Sequence, residues 1–103
     1  MNTFIYDTVI DTLKTVIDPE MAPVDVLELG LIYEVLVKED GQVKITMTLT
    51  APACPVAGEI VQEIQDKVSA IAGVTDVHVQ LTFDPPWNRD MMSDEAKFEL
   101  GFL

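Results

Sequence analysis

The chain has 103 residues, 49% hydrophobic and 23% charged, which is enough for one domain with a core and too apolar for a disordered chain. Its formal net charge of −12, from 18 acidic and 6 basic residues, argues against binding to nucleic acid or to anionic membranes, since those need clustered Lys and Arg. No apolar run approaches the ~20 residues of a membrane-spanning helix, and no signal peptide is visible. A single cysteine cannot form an intramolecular disulfide. We therefore expect a cytoplasmic protein.

The first half of the chain predicts a helix followed by a β-hairpin. Apolar residues recur at helical spacing from Ile5 to Ile17, and Pro19 is expected to end this helix. Residues 31–38 and 43–50 then read as two strands joined by a turn at Asp40 and Gly41. On the second strand the inward residues are Val43, Ile45, Met47 and Leu49, and the outward ones are Lys44, Thr46, Thr48 and Thr50.

The second half predicts a helix, a third strand and a short terminal helix. The helix spans residues 56–71, with Gly73 at its C-terminal cap. The strand that follows has Val77, Val79, Leu81 and Phe83 inward and His78 among its outward residues. Residues 84–92 are expected to be extended, because two prolines fix φ and remove hydrogen-bond donors. Ser93 is placed to cap the last helix, which ends at Gly101.

The order of these elements, α-β-β-α-β plus a short C-terminal helix, predicts the fold class. Helices on one face of a small sheet give a single two-layer α+β domain, here residues 1–103. We expect a mainly antiparallel sheet, although a strand-helix-strand crossover allows one parallel pair.

Cys54 lies where the second strand ends and the second helix begins, between Pro52 and Pro55. Proline suits the first helical position, which makes Cys54 the expected N-cap residue of that helix. The helix dipole there lowers a thiol pKa and favours the thiolate, the form that binds metals or attacks electrophiles. A buried structural cysteine, which behaves as a small hydrophobe, is the alternative that the residues alone leave open.

Three other residues or pairs are candidates. Asp18 and Glu20 flank Pro19 and are expected to bind metal, to act as acid or base, or to cap backbone amides. Trp87 is either an apolar plug beneath a rigid tail or an anchor for a partner protein. His78 is expected to be solvated. The sequence contains no nucleotide-binding loop and no C-x-x-C motif.

Several landmarks occur together in one order: "IDPE", "DVLELGLIYEV", "TMTLTAPACP", "GVTDVHVQLTFDPPW" and "MSDEAKFELG". Over roughly residues 4–101, this combination closely resembles the small iron–sulfur cluster assembly family. That family includes the SufT-like bacterial proteins, and its relatives include PaaD and the eukaryotic cytosolic iron–sulfur targeting subunits.

The resemblance implies an α+β fold and a role in the maturation of iron–sulfur proteins. It makes the cysteine of a T-x-x-x-C-P motif the functional residue, which maps onto Thr50, Cys54 and Pro55. The family's D-P-E motif maps onto Asp18, Pro19 and Glu20.

The leading hypothesis is an accessory factor, not an enzyme, that delivers iron–sulfur clusters or iron to client apoproteins alongside other cluster assembly proteins. Cys54 would be a transient ligand of the cluster or iron, with Asp18 and Glu20 as auxiliary ligands. One chain offers a cluster a single cysteine ligand. A homodimer that shares one cluster through its two Cys54 residues would supply a second.

Two alternatives belong to other classes. A metal-free adaptor would link clients to the assembly machinery through Trp87. A thiol-dependent enzyme would use Cys54 as nucleophile and Asp18 or Glu20 as base.

The outer face of the sheet gives one further prediction. Ile32 and Leu36 alternate with inward residues and are expected to share the outer face with Glu34 and Lys38. A polar antiparallel face can meet solvent, but two aliphatic side chains there favour a cover. We expect either a second subunit or the docked tail over this edge, and Ile32→Asp to disrupt that contact while the hairpin stays folded.

Overall fold

The computed structural model describes residues 3–18, 21–49 and 57–102. Its helices are α1 (Thr3–Leu13), α2 (Ala57–Ser69) and α3 (Asp94–Glu99), with a 3₁₀ turn at Arg89–Met91, and its strands are β1 (Ile32–Val37), β2 (Gln42–Met47) and β3 (Asp76–Leu81). This order confirms the predicted α+β arrangement. Among these described residues, no helix is long and apolar enough to cross a membrane.

The three strands form one mixed sheet in the order β1-β2-β3. β1 and β2 pair antiparallel, and β2 and β3 pair parallel. The sheet is therefore evenly mixed rather than mainly antiparallel, because the crossover through α2 returns the chain alongside β2 in the same direction.

The hydrophobic core lies between the sheet and the two longer helices. α1 contacts β1 and α2, and α2 also contacts β3. The inward alternation predicted for this strand is confirmed, since the three apolar side chains of β2 are buried, as is Leu49 just beyond its end. Fully buried contributors from α1, β2 and α2 include Val9, Leu13, Ile45, Met47, Ile64 and Val68.

The end of the sheet at the β1–β2 hairpin, which we call the turn end, is defined by Asp40, Gly41, Gly73 and Thr75. The hairpin is confirmed, and the Lys38 N–H donates to the Gln42 carbonyl at 2.8 Å. Gly41 has φ +93°, which closes a three-residue loop in a conformation that glycine adopts without strain. The Thr75 N–H donates to the Gly41 carbonyl at 3.0 Å and ties β3 to this turn.

A bulge in β1 overturns the prediction about Ile32. The register shifts between Ile32 and Glu34, so that Ile32 lies opposite Met47 on the core face. Ile32 is partly buried against the core, whereas Leu36 lies opposite Lys44 and is 40% exposed. The two side chains therefore do not share the outer face, because one extra residue changes the alternation between them.

Two predicted boundaries are also wrong. α1 ends at Leu13, well before Pro19, because the chain turns with Thr15 N–H donating to Thr12 O at 3.0 Å and then pairs Ile17 with Asp25. The tail, by which we mean residues 83–92, is not extended throughout. It contains the 3₁₀ turn, which begins after Asn88, whose side chain accepts from the Asp90 N–H.

The third strand ends earlier than predicted, at Leu81. Leu81 and Phe83 were expected to face inward, yet they are 41% and 44% exposed. The C-terminal helix follows the prediction: the Ser93 side chain accepts from the Ala96 N–H at 3.1 Å, and Gly101 has φ +81°.

Candidate functional site

The sequence-predicted site residues divide into two groups. Cys54, Thr50, Pro55 and Glu20 lie outside the described residues, so their predicted roles stay predictions. Asp18 and Trp87 are described. The chain is described again on both sides of residues 50–56, at Leu49 after β2 and at Ala57, where α2 begins.

Asp18 is buried, with 1% of its surface exposed. It follows Ile17, which forms an isolated antiparallel bridge with Asp25, and the Asp18 carbonyl accepts from the Met21 N–H at 3.0 Å. A carboxylate loses hydration when it is buried, so proteins seldom keep one inside without a structural or functional use.

Thr48 is the second buried polar residue. Sequence alternation placed it on the outer, solvated face of the sheet, but it has 0% exposure. Its hydroxyl has no hydrogen-bond partner within the described part of the chain. Its backbone N–H is satisfied, donating to the Leu31 carbonyl at 2.8 Å.

A chain of backbone hydrogen bonds connects the segments that carry Asp18 and Thr48. Val26 N–H donates to Val16 O at 3.0 Å, Leu31 N–H donates to Val26 O at 3.1 Å, and Thr48 N–H donates to Leu31 O. We call this region, from Asp18 through Leu31 to Thr48, the polar end. Of the buried residues that the structure describes, Asp18 and Thr48 are the two that are polar or charged.

The tail crosses the sheet beside the polar end. The Thr82 N–H donates to the Met47 carbonyl at 2.9 Å, which fixes the start of the tail beside β2. The Tyr33 hydroxyl then donates to the Pro85 carbonyl at 2.7 Å, so the tail reaches β1 on the far side of the sheet. The tail docks on the sheet in this way, but it does not form the predicted cover, since Ile32 lies on the core face and Leu36 is 40% exposed. The homodimer stays a prediction.

Trp87 holds the tail in place. Its indole N–H donates to the Leu29 carbonyl at 2.7 Å, and its ring packs against the core. Next to this contact, a side chain on Gly30 would come within 2.3 Å of the Met91 carbonyl oxygen. Trp87 therefore acts as the predicted plug within the chain, while its role as a partner anchor stays a prediction.

The described side chains form no group of three or more His, Cys, Asp and Glu that could hold a metal ion. His78 is exposed and pairs with Lys44 across the outer face, which confirms that it is solvated. Thr48 is the residue that sequence reasoning missed. No local sequence signal points to it, because strand alternation places Thr48 on the outer face of the sheet.

Proteins of known sequence resemble this chain over nearly its whole length. A Porphyromonas gingivalis protein named Fe-S protein maturation auxiliary factor is 54% identical over 97 residues, which cover 94% of this chain and 91% of that protein. The Staphylococcus aureus Fe-S protein maturation auxiliary factor SufT is 40% identical over 86 residues, covering 84% of this chain and 97% of its own length.

A solved structure shows the same fold. The crystal structure of a domain of unknown function from Bacillus anthracis superposes with a TM-score of 0.90 at 36% identity. The match covers 98% of this chain and 95% of that one.

The sequence profile of the iron–sulfur cluster assembly proteins matches residues 6–81, a range that holds both buried polar residues and Cys54. Together with the full-length relatives, this match confirms the resemblance noted from the motifs. The chain belongs to the iron–sulfur cluster assembly protein family.

Proposed function

We propose that this protein is an auxiliary factor in the maturation of iron–sulfur proteins, and that it delivers clusters or iron to client apoproteins through Cys54. The observation that carries the proposal is the polar end: both buried polar residues of the described core lie there. Asp18 directly precedes Pro19 and Glu20 of the D-P-E motif, and Thr48 lies just before the T-x-x-x-C-P motif.

The energetics of burial favour a functional interpretation of the polar end. A buried hydroxyl without a partner in the described chain, such as that of Thr48, works against folding, and an apolar residue of similar size would fit a core at lower cost. A buried polar group without a partner is unusual in a native core, and it supports a functional site at this end. Two of the family motifs, D-P-E and T-x-x-x-C-P, directly adjoin Asp18 and Thr48 in sequence.

Cys54 is the residue we propose as the ligand of the cargo. It is the chain's single thiol, and thiolates are the ligands that iron–sulfur clusters use. One chain supplies one such ligand, so we propose that two chains share a cluster, with small thiols completing the coordination. Asp18 and Glu20 are proposed as auxiliary ligands.

A carrier that offers few cysteine ligands holds a cluster weakly, which favours delivery of the cluster over its storage. A client site usually offers four cysteine ligands to a cluster, whereas this chain offers one. Transfer to the client then exchanges weakly held, small-molecule thiols for a complete protein site. The cargo moves towards the client because each step of that exchange gains a permanent ligand.

Anaerobic loading tests the proposed ligand directly. Iron and sulfide are supplied to the wild type, to Cys54→Ser and to His78→Ala, a control that removes an exposed ligand-type side chain from the outer face of the sheet. We expect the wild type and His78→Ala to retain iron and sulfide and to show the same absorption spectrum, and Cys54→Ser to retain neither. Equal iron content in the wild type and Cys54→Ser would contradict the proposal.

A metal-free adaptor is the second candidate, favoured by the exposure of Leu81 and Phe83 beside the polar end. The two candidates differ in the residue that a purified client apoprotein should depend on. An adaptor predicts that Phe83→Ser weakens binding to the client while Cys54→Ser does not. The delivery proposal predicts that Cys54→Ser abolishes cluster transfer whatever happens to binding.

A further inference from the structure

The outer face of the sheet carries two lysines around an exposed leucine. Leu36 on β1 lies opposite Lys44 on β2, and Lys38 comes directly after the end of β1. We call Leu36, Lys38 and Lys44 the lysine patch. We infer that the lysine patch is a docking surface for an acidic segment of a protein partner. This surface goes beyond the proposed delivery of clusters or iron, since it involves neither Cys54 nor the cargo.

The side chains of the lysine patch are open to solvent. Leu36 is 40% exposed, and Lys38 and Lys44 are both exposed. They line a groove of about 160 Å³ together with neighbouring residues of the sheet. Ile45, which follows Lys44 in the chain, points the opposite way and is fully buried in the core. The lysine patch is therefore an accessible part of the surface, on the side of the sheet away from the core.

Lys38 and Lys44 differ from the other lysines in having no carboxylate partner. The other lysines each lie within 4.0 Å of a carboxylate oxygen: Lys14 of Asp11, Lys67 of Glu63 and Lys97 of Asp90. Within the described part of the chain, neither Lys38 nor Lys44 makes such a contact. Because the chain has 18 acidic residues and only 6 basic ones, two unpaired lysines on one groove are unexpected from composition.

Acidic residues of the neighbouring turn and strand accept backbone N–H groups instead of pairing with these lysines. The Asp40 side chain accepts from the Gln42 N–H at 3.1 Å, and the Asp76 side chain accepts from the Val77 N–H at 3.0 Å. Glu34 shares the outer face, and it makes no ion pair with either lysine among the described residues. The two ammonium groups are therefore available to carboxylates of another molecule.

A structural role for lysine in a sheet does not account for Lys44. Lysines on edge strands prevent pairing with the strands of other chains. Lys44 lies on the central strand, which is paired on one side with β1 and on the other with β3. An aliphatic side chain in contact with solvent, with charged groups beside it, is instead the arrangement of a small protein interface, which has an apolar centre and a polar rim.

The size and charge of the lysine patch favour a short acidic segment as the occupant. Small-molecule pockets are typically ~300–1,000 Å³, so this groove is too small for most of them. Two lysines on a chain with a net charge of −12 are too few for nucleic acid. A second copy of the chain would bring a further net charge of −12 to the contact. A short segment can place carboxylates on Lys38 and Lys44, and an aliphatic side chain on Leu36, without that repulsion.

A peptide titration tests the docking surface on the metal-free protein, so its outcome is independent of the proposed function. The probe is a short synthetic peptide in which leucine alternates with glutamate, and its control peptide has glutamine in place of glutamate. Binding is followed through the amide resonances of the ¹⁵N-labelled chain. Lys44→Glu reverses one charge of the lysine patch. Lys14→Glu is the matched control, because it changes the net charge equally at an exposed lysine just after α1.

We expect the glutamate peptide to shift the amide resonances of Leu36 and Lys44 and to bind the wild type more tightly than the glutamine peptide does. Lys44→Glu should bind the glutamate peptide on the order of tenfold more weakly than the wild type, since an attraction becomes a repulsion. Lys14→Glu should bind it like the wild type. Both lysines are exposed, so both variants should keep the native spectrum.

Three results would overturn the inference. Equal affinity for the two peptides, or no binding of either, would mean that the lysines do not recognise carboxylates. Equal weakening in Lys44→Glu and Lys14→Glu would assign the effect to net charge and not to this surface. A wild-type dimer in sedimentation that Lys44→Glu dissociates would mean that a second copy occupies the lysine patch.

Discussion

The two ends of the sheet differ in how their polar groups are satisfied. At the turn end the backbone is close-packed and hydrogen-bonded: the Thr75 N–H and hydroxyl donate to the Gly41 and Asp40 carbonyls at 3.0 and 3.1 Å. At the polar end a carboxyl group and a hydroxyl are buried, and the hydroxyl has no partner in the described chain. The comparison teaches that the turn end is held by hydrogen bonds and close packing, while the polar end buries a hydroxyl for which the described chain shows no partner.

The largest effect is expected at the turn end. A Cβ atom on Gly41 would lie 2.1 Å from the Gly73 carbonyl oxygen, at a φ of +93°. We expect Gly41→Ala to cost about 3 kcal/mol in the free energy of unfolding, combining backbone strain with a clash that moves main chain. Urea unfolding measures it.

The control for this variant is Gly101→Ala, where φ is +81° but nothing lies within 4 Å of the added Cβ. This control measures the cost of placing alanine at a positive φ without a clash, which is about 1 kcal/mol in the free energy of unfolding. If both variants lose the same stability, the close approach of Gly41 to Gly73 does not constrain the turn. Iron retained per folded chain should be unchanged in both, since neither touches the polar end.

The next prediction concerns the bulge at the start of β1, which lies beside the polar end. Ile32 lies on the core face opposite Met47, and Leu36 lies on the outer face. We expect Ile32→Asp to cost about 2 kcal/mol, because it places a carboxylate at a partly buried position against the core. Leu36→Asp should stay within about 0.5 kcal/mol of the wild type. Similar losses in the two variants would mean that the residues share one face after all.

A smaller effect concerns the tail. Trp87→Phe keeps an aromatic ring but removes the N–H that donates to the Leu29 carbonyl at 2.7 Å. We expect a loss of about 1–2 kcal/mol, since a partly buried carbonyl is left without its donor. Limited proteolysis should then cut the tail faster. Phe98→Leu, at a ring that is 72% exposed, is the control, and equal cutting rates in both variants would show that Trp87 does not fasten the tail.

The sequence predicted the structure correctly where that structure is determined by residues close together in the chain. The alternation in β2 correctly predicted the burial of Val43, Ile45 and Met47, because a strand has a fixed period of two. Gly41 and Ser93 marked a turn and a helix cap through their own backbone and side-chain chemistry. The parallel pairing of β3 remained open, since it depends on how α2 returns the chain.

The predictions that were wrong concern residues whose burial depends on parts of the chain that are distant in sequence. The bulge adds one residue to β1 without any glycine to mark it, so Ile32 was assigned to the wrong face. Thr48 was expected in solvent because strand alternation places it on the outer face, whereas it is fully buried. For the candidate site, sequence reasoning proposed Asp18 but not Thr48, whose burial becomes visible only in three dimensions.

Transfer to a client tests the central claim most directly. A [2Fe–2S] apo-ferredoxin is mixed anaerobically with the loaded wild type, with Cys54→Ser treated in the same way, or with free iron and sulfide alone, and the appearance of its cluster is followed by absorbance. The account predicts that the wild type speeds cluster formation well above free iron and sulfide, and that Cys54→Ser does not. Equal rates for the wild type and Cys54→Ser would contradict delivery through Cys54.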